Sequence, residues 1–412
     1  MIQKFKNSGY EIVDFEEIAD IYIINTCTVT NMSDKKSRQI LRQANKRNPR
    51  ALVVACGCYV QVAKEEIEKI PEIDLCIGTN EKADIVKYVE DYEFNNNVKL
   101  QNILYEAEFD EFGSVTYTEK TRAVIKVQDG CDRFCSYCII PFARGKVRSR
   151  KPENIINEIT QISKNGIKEV VITGIHIASY GKDFEKEYKL IDLLEDINKI
   201  NGIERIRLGS IEPLLITQEF INRLVKLDKI CHHFHLSLQS GSTETLKRMN
   251  RRYTIEEFEE ITKRLRKAYE DVILTTDIIV GFPGESEKEF EETYKFLEKI
   301  KFYKMHIFKY SPRKGTKAAE MKNQIPGDIK EKRSKMLLEL SDKNENEYLD
   351  NYINKEIEVL FEEQDKEFYK GHTANYIMVK LKTNMNVSNV IVNVKITGKD
   401  NLNLISSEIV TK

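Results

Sequence analysis

Gln128-Asp129-Gly130-Cys131-Asp132-Arg133-Phe134-Cys135-Ser136-Tyr137-Cys138-Ile139-Ile140-Pro141 is the stretch on which this chain is read. Its cysteines are spaced C-x3-C-x2-C, and an aromatic residue, Tyr137, directly precedes the last of them. Three thiols this close cannot pair off as disulfides, and a closed structural zinc site needs a fourth ligand. A zinc knuckle would show two C-x2-C pairs, and no second pair exists here. A cubane iron–sulfur cluster fits, because thiolates hold it and their surroundings tune its potential. Three ligands for four irons leave one iron open, and an open metal position can bind a substrate or cofactor directly.

Working outward, the motif directly follows a strand predicted at 123–128, and strand and helix alternate from there. Further strands are predicted at 169–173, 205–209, 235–239, 272–280 and 303–310, with helices at 152–165, 254–270 and 287–301 among them. Six β–α units predict a partial barrel, and the cysteine motif then sits at the C-terminal face of the strands, where α/β barrels carry their chemistry.

The flanks have different characters. Upstream, Ile21-Tyr-Ile-Ile-Asn and Ala51-Leu-Val-Val-Ala read as short buried strands after helical stretches, the pattern of a parallel sheet with covering helices. Residues 96–119 are polar and weakly periodic. Downstream of a charged helix at 328–351, the runs at 357–361, 376–381, 390–396 and 402–405 alternate or are β-branched, as in a small β-barrel. The expected fold is therefore α/β. An N-terminal parallel α/β sandwich spans 1–105, a linker 106–122, a central partial (β/α)6 barrel 123–350, and a small β-barrel 351–412.

The 412 residues exceed one compact domain, and 41% hydrophobic content is enough for real cores. No apolar run approaches a membrane span, and the first residues lack the apolar core of a signal peptide. A cytoplasmic location without a membrane partner is expected. Eight cysteines without a secretory signal point to metal or redox use. The net charge of −1 excludes nothing, since a neutral chain can carry a basic stripe.

The C-x3-C-x2-C motif resembles the signature of the radical S-adenosylmethionine enzymes. In that family the open iron is chelated by the methionine moiety of the cofactor, and reduction yields a 5′-deoxyadenosyl radical, so the cofactor and cluster carry the hard chemistry. The whole chain resembles the methylthiotransferases, on Asn25-Thr-Cys-Thr, Ala55-Cys-Gly-Cys-Tyr, the radical barrel and the terminal β-barrel. The resemblance implies a 4Fe–4S cluster on Cys131, Cys135 and Cys138, a second one in the N-terminal domain, and a terminal RNA-binding module of the TRAM type. It also implies S-adenosylmethionine as cofactor and an electron donor such as flavodoxin or ferredoxin. Thr173-Gly-Ile-His, Gly209-Ser-Ile-Glu-Pro and His235-Leu-Ser-Leu-Gln-Ser-Gly are family-like, and Tyr137, Gly174, Glu212 and Gln239 are the candidate cofactor contacts. Each of the last three can equally serve a turn or packing.

Cys27 and Cys58 each follow a predicted strand, so both should leave one edge of the sheet, where α/β ligand sites form. Read from the residues alone, they are cluster ligands or buried small hydrophobes, and both readings stand. The family normally supplies a third ligand from an opening strand and a Cys-x-x-Asn segment. This chain starts inside the following helix, so the start is expected to be placed late or truncated. Cys56 and Cys76 are expected to be structural. So are the histidines of Cys231-His-His-Phe-His, because strand alternation splits His232 from His233 and His235.

Two basic runs are the candidates for RNA binding. Arg144, Lys146, Arg148, Arg150 and Lys151 are five cations in eight positions after the motif. Lys35, Arg38, Arg42 and Lys46 recur along one face of the helix predicted at 33–48. Phosphate recognition suits both, although a charged helix face is as often simply solvated. Family branches act on isopentenyl-adenosine in tRNA, threonylcarbamoyl-adenosine in tRNA, or an aspartate of a ribosomal protein. The run from Cys138 to Arg150 looks most like the threonylcarbamoyl-adenosine branch, with Arg148 as its distinguishing residue. An arginine suits a base that carries a carboxylate. The resemblance then implies methylthiolation of C2 of that base beside the anticodon. The rival readings are the other two branches, or a chain that binds RNA and cleaves S-adenosylmethionine without inserting sulfur.

Overall fold

The computed structural model describes residues 1–67, 69–94, 109–111 and 121–410, so most of the expected linker lies outside the described residues. The chain forms two compact units. One comprises Met1–Val115, Gln128–Arg150 and Ser311–Glu320, and the other Thr116–Val127, Lys151–Tyr310 and Met321–Lys412.

The first unit is built on a three-stranded parallel sheet of β1 (Ile21–Thr26), β2 (Leu52–Gly57) and β3 (Leu75–Ile77), in that order. The helix Asn31–Arg47 starts where Thr30 Oγ1 accepts the Ser33 N–H. Its Asp34, Ser37, Leu41 and Ala44, spaced three and four apart, are buried, which leaves Lys35, Arg42 and Lys46 exposed. The sheet has a core on each face: Tyr22, Ile24, Val53 and Ala55 belong to one, and Val54, Cys56, Ile77 and Phe5 to the other. The cysteine loop belongs to this unit, between the end of β4 (Arg122–Asp129) and the short β5 (Arg148–Ser149), which pair antiparallel.

The second unit contains the barrel strands. Following β4 come β6 (Glu169–Gly174), β7 (Arg205–Leu208), β8 (His233–Gln239), β9 (Ile273–Val280) and β10 (Lys304–Lys309). They form two sheets, β5-β4-β6-β7 and β8-β9-β10, joined by parallel bridges from Ile206 to Ile230 and from Ile211 to Leu236. Six strands in sequential order make the partial barrel that six β–α units imply. Helices cover one face, and two of them carry a full start signal. Thr254 with Glu257 and Ser286 with Glu289 form capping boxes ahead of Ile255–Ala268 and Glu287–Ile300. Ile125, Val127, Val170, Ile172, Ile206, Leu208, Leu236 and Ile278 fill the core beneath those helices. Strand alternation turns Glu169, Arg205, Arg207, His233, His235, Thr275, Asp277 and His306 to the other face.

After the helix Gly327–Asp350 the chain forms β11 (Glu356–Asp365), β12 (Phe368–Thr373), β13 (Met378–Lys382), β14 (Val390–Lys395), β15 (Gly398–Asp400), β16 (Asn403–Ser406) and β17 (Glu408–Ile409). Their order is β15-β16-β13-β12-β11-β14-β17, antiparallel except for the β13–β16 pair. Val359, Phe361, Tyr369, Val379, Leu381, Val394 and Leu404 share one core. The strand β12 was not among the expected runs, because Gly371 and His372 interrupt its apolar alternation. Only the neighbouring backbone explains that glycine: a Cβ there would lie 2.3 Å from the Leu360 carbonyl oxygen. Two arginines of the inner barrel face bond this sheet. Arg207 donates to Glu169 at 2.7 Å and to the Ala374 carbonyl at 2.9 Å, and Arg205 donates to the His372 carbonyl at 2.9 Å.

Candidate active site

In the first unit the loop that carries Cys131, Cys135 and Cys138 is held by its own backbone. The Cys131 N–H donates to the Gly145 carbonyl at 3.0 Å, and the Cys138 N–H to the Cys135 carbonyl at 2.9 Å. Gly130 turns the chain into the loop with φ +73°, and Phe134 adopts the left-handed conformation at φ 48°. The three thiols are half-buried. Burial pushes the Cys131 thiol above its ordinary value, with Cys135 and Asp132 adding to the rise and neighbouring Arg133 opposing it. Bound iron reverses that tendency, since a coordinating thiol is deprotonated outright. Three thiols on one pinned loop are a donor set that fits a cubane with one open iron.

The edge of the N-terminal sheet lies in the same unit. Thr26 and Gly57 are paired across β1 and β2, so Cys27 and Cys58 leave adjacent strands at the same end. Cys27 is exposed, and Cys58 is buried as the first residue of the short helix Cys58–Val62. Cys56 points away from this edge, into the core with Val54 and Ile77, where burial raises its thiol to about 11. Gly57 makes the turn between them at φ +101°, and a Cβ there would lie 2.7 Å from both Asn25 Oδ1 and the Thr26 carbonyl. Cys76 is buried within β3.

The basic residues divide. Arg144 donates from Nε to Cys58 Sγ at 3.1 Å and from Nη1 to Asp129 at 3.3 Å. Arg148 is buried, 3.7 Å from Asp129, and Arg150 is buried on Glu111 at 2.9 Å. Of the run after the motif, Lys146 and Lys151 are exposed. Three of the five cationic groups in this run, Arg144, Arg148 and Arg150, thus have partners inside the first unit. On the helix Asn31–Arg47, Arg38 donates to the Tyr59 hydroxyl at 2.6 Å, while Arg42 stays exposed beside Glu72. Arg313, which sequence reasoning did not single out, is buried against Asp34 at 2.6 Å and also bonds Asn31 and Thr28.

In the second unit the cofactor candidates sit at strand ends. Gly174 closes β6, Glu212 follows β7, and Gln239 closes β8 in a left-handed conformation at φ 74°. Glu212 is buried and bonds His176 Nε2 at 2.6 Å, with Arg251 3.8 Å away. His176 belongs to Thr173-Gly-Ile-His and is held on its other side by Ser179 at 2.8 Å.

Residues 125–297 match the Radical SAM superfamily, and residues 1–78 match uncharacterized protein family UPF0004. The chain is 43% identical, over 96% of its length and 89% of the relative's, to a threonylcarbamoyladenosine tRNA methylthiotransferase of Bacillus subtilis. The chain belongs to the radical S-adenosylmethionine methylthiotransferases. A tRNA-2-methylthio-N(6)-dimethylallyladenosine synthase of Clostridium novyi is 35% identical over 97% of the chain and 90% of the relative. Among solved structures, a radical S-adenosylmethionine methyltransferase of Kitasatospora setae with cobalamin and a 4Fe–4S cluster bound aligns at TM-score 0.56 and 15% identity. That match covers 74% of this chain and 66% of the other, and it shows a shared fold alone. As a methylthiotransferase the chain is a transferase whose cofactors are a 4Fe–4S cluster and S-adenosylmethionine. No described helix is long and apolar enough to cross a membrane.

Proposed function

We propose that this methylthiotransferase modifies C2 of threonylcarbamoyl-adenosine beside the anticodon of tRNA. The observation that carries the reading is the 43% identity to a threonylcarbamoyladenosine enzyme across 96% of the chain, against 35% to a dimethylallyladenosine one. Cys131, Cys135 and Cys138 hold the radical-generating cluster. When bound, that cluster supplies the electron that splits S-adenosylmethionine. Cys27 and Cys58 are ligands of the N-terminal cluster, and the Arg144 cation stands against the Cys58 sulfur. Tyr137 on the cysteine loop, and Gly174, Glu212 and Gln239 at strand ends of the second unit, are the cofactor contacts in this reading. Glu212 arrives there already oriented by His176, so its ordering is complete before the cofactor binds.

Exposed Lys35, Arg42 and Lys146 are the phosphate contacts in this reading, and Arg38, Arg144, Arg148 and Arg150 act from within by shaping the surface that meets RNA. The C-terminal sheet, residues 351–412, is the RNA-holding module. Reducing equivalents come from a small electron carrier such as flavodoxin or ferredoxin. The test is anaerobic turnover of the reconstituted chain on two tRNAs, one bearing threonylcarbamoyl-adenosine and the other isopentenyl-adenosine, followed by nucleoside mass spectrometry. A methylthio product on the first alone is expected. Product on the second alone would replace this reading with the isopentenyl one.

A further inference from the structure

The inner face of the barrel brings together three metal-ligating side chains that no single stretch of sequence contains. His235 on β8, Asp277 on β9 and His306 on β10 come from consecutive strands. In the β9–β10 register Asp277 stands opposite His306, and in the β8–β9 register His235 stands opposite Thr275, one pleat repeat away. One ligand atom from each of the three lies within 4.8 Å of the others. His235 Nε2 and Asp277 Oδ2 are 3.2 Å apart. That separation matches the edge of a tetrahedral site with bonds of about 2.0 Å, for which ligand atoms lie about 3.3 Å apart.

The ring of His235 is oriented from behind. Its Nδ1 is 3.0 Å from Thr275 Oγ1, and in the tautomer that donates Nδ1–H to the hydroxyl, Nε2 keeps its lone pair toward Asp277. His235 and His306 line a cavity of about 470 Å³ whose walls include Arg207, Glu345 and Tyr376. A fourth coordination position pointing there would be open, as in sites of two histidines and one carboxylate.

We propose that His235, Asp277 and His306 form a site for one divalent first-row metal ion, distinct from the cysteine sites, with an open position that takes water or an anionic oxygen. The site is independent of which tRNA base is the substrate. A hydrogen-bonded His235–Asp277 pair with no ion is the competing state.

The test uses the full chain with its clusters reconstituted, so that thiolates are occupied, and zinc as the probe in equilibrium dialysis with elemental analysis and X-ray absorption. Expected is about one zinc per chain beyond any sulfur-bound metal, in a shell of nitrogen and oxygen at about 2.0 Å. Zinc affinity should fall at least about tenfold in both His306→Ala and Asp277→Asn, since even the loss of an outer-shell partner weakens binding by about 10–100-fold. His306 is exposed, so its replacement leaves the fold in place. The proposal is overturned by a sulfur shell at about 2.3 Å, by affinity unchanged in the two variants, or by the absence of bound zinc.

Discussion

Arg144 donates from Nε to Cys58 Sγ across 3.1 Å, and the same guanidinium reaches Asp129 at 3.3 Å. Asp129 ends the strand that leads into the C-x3-C-x2-C loop, and Cys58 opens the helix at the edge of the N-terminal sheet. One half-buried cation therefore ties the chain just ahead of the C-x3-C-x2-C loop to a ligand candidate of a second cluster. Hydrogen bonds and charge at a ligating sulfur are levers on cluster potential.

Replacing Arg144 with glutamine removes that charge while keeping a polar side chain. Reduction adds negative charge, which a neighbouring cation stabilises, so its loss drives the potential down. The N-terminal cluster is expected to become harder to reduce by on the order of 50 mV, a fraction of a charge-assisted hydrogen bond on the scale of 59 mV per tenfold. A redox titration followed by electron paramagnetic resonance reads this directly. An unmoved potential would mean that Cys58 is not a ligand or that the contact is lost on cluster binding.

The loop depends on a glycine immediately before its first cysteine. Gly130 has φ +73°, and a Cβ there would lie 1.7 Å from the Lys146 carbonyl oxygen, so Gly130→Ala must displace backbone. The 3.0 Å bond from the Cys131 N–H to the Gly145 carbonyl lies beside that clash. Iron bound after reconstitution is expected to drop by about four per chain, matching Cys135→Ala. Circular dichroism should be unchanged, because the sheet cores are elsewhere. Full iron retention in the glycine variant would show that the loop tolerates the shift.

Asp34 and Arg313 form a buried pair at 2.6 Å inside the first unit. Removing one partner leaves a buried charge uncompensated, so Arg313→Met is expected to destabilise that unit by about 3–5 kcal/mol. The double variant Asp34→Leu with Arg313→Met should recover most of this, since a buried pair replaced by apolar residues is often close to neutral. Hydrogen exchange across the helix Asn31–Arg47 and β2 reports the difference. Additive losses would show that the two residues act separately.

What the sequence disclosed, and what it concealed, follows from the range of each signal. The thiol loop was legible because its three cysteines lie on one short segment, and the barrel because its β–α units are locally periodic, with capping boxes at Thr254 and Ser286. The partners of Arg144, Arg148 and Arg150 were hidden, since a run of cations looks the same whether its partners are water or Cys58, Asp129 and Glu111. The cluster of His235, Asp277 and His306 was hidden for a related reason. Its members come from three strands, and only the register of β8, β9 and β10 brings them to one level. Within Cys231-His-His-Phe-His, alternation correctly separates neighbouring histidines but says nothing of partners across the sheet.

Arg207 is where the second unit joins its two parts. Its guanidinium donates to Glu169 at 2.7 Å and to the Ala374 and Thr373 carbonyls at 2.9 and 3.4 Å, and it lies 4.7 Å from the Tyr376 ring centre. With Arg207→Met, Glu169 keeps, among the described residues, only Arg122 and Arg205, each 4.0 Å away, while two carbonyls of the C-terminal sheet lose a charged donor. A loss of about 3–5 kcal/mol is expected for stranding a buried carboxylate. Lysine should fall between wild type and methionine, because it restores charge but cannot fork to two carbonyls at once. Limited proteolysis near residues 373–376 should accelerate in the order wild type, lysine, methionine. Cleavage of S-adenosylmethionine, which depends on the cysteine loop and strand ends, should persist in both variants while tRNA binding weakens. If cofactor cleavage were to fall in step with tRNA binding, Arg207 would be supporting the whole barrel and not the seat of the C-terminal sheet.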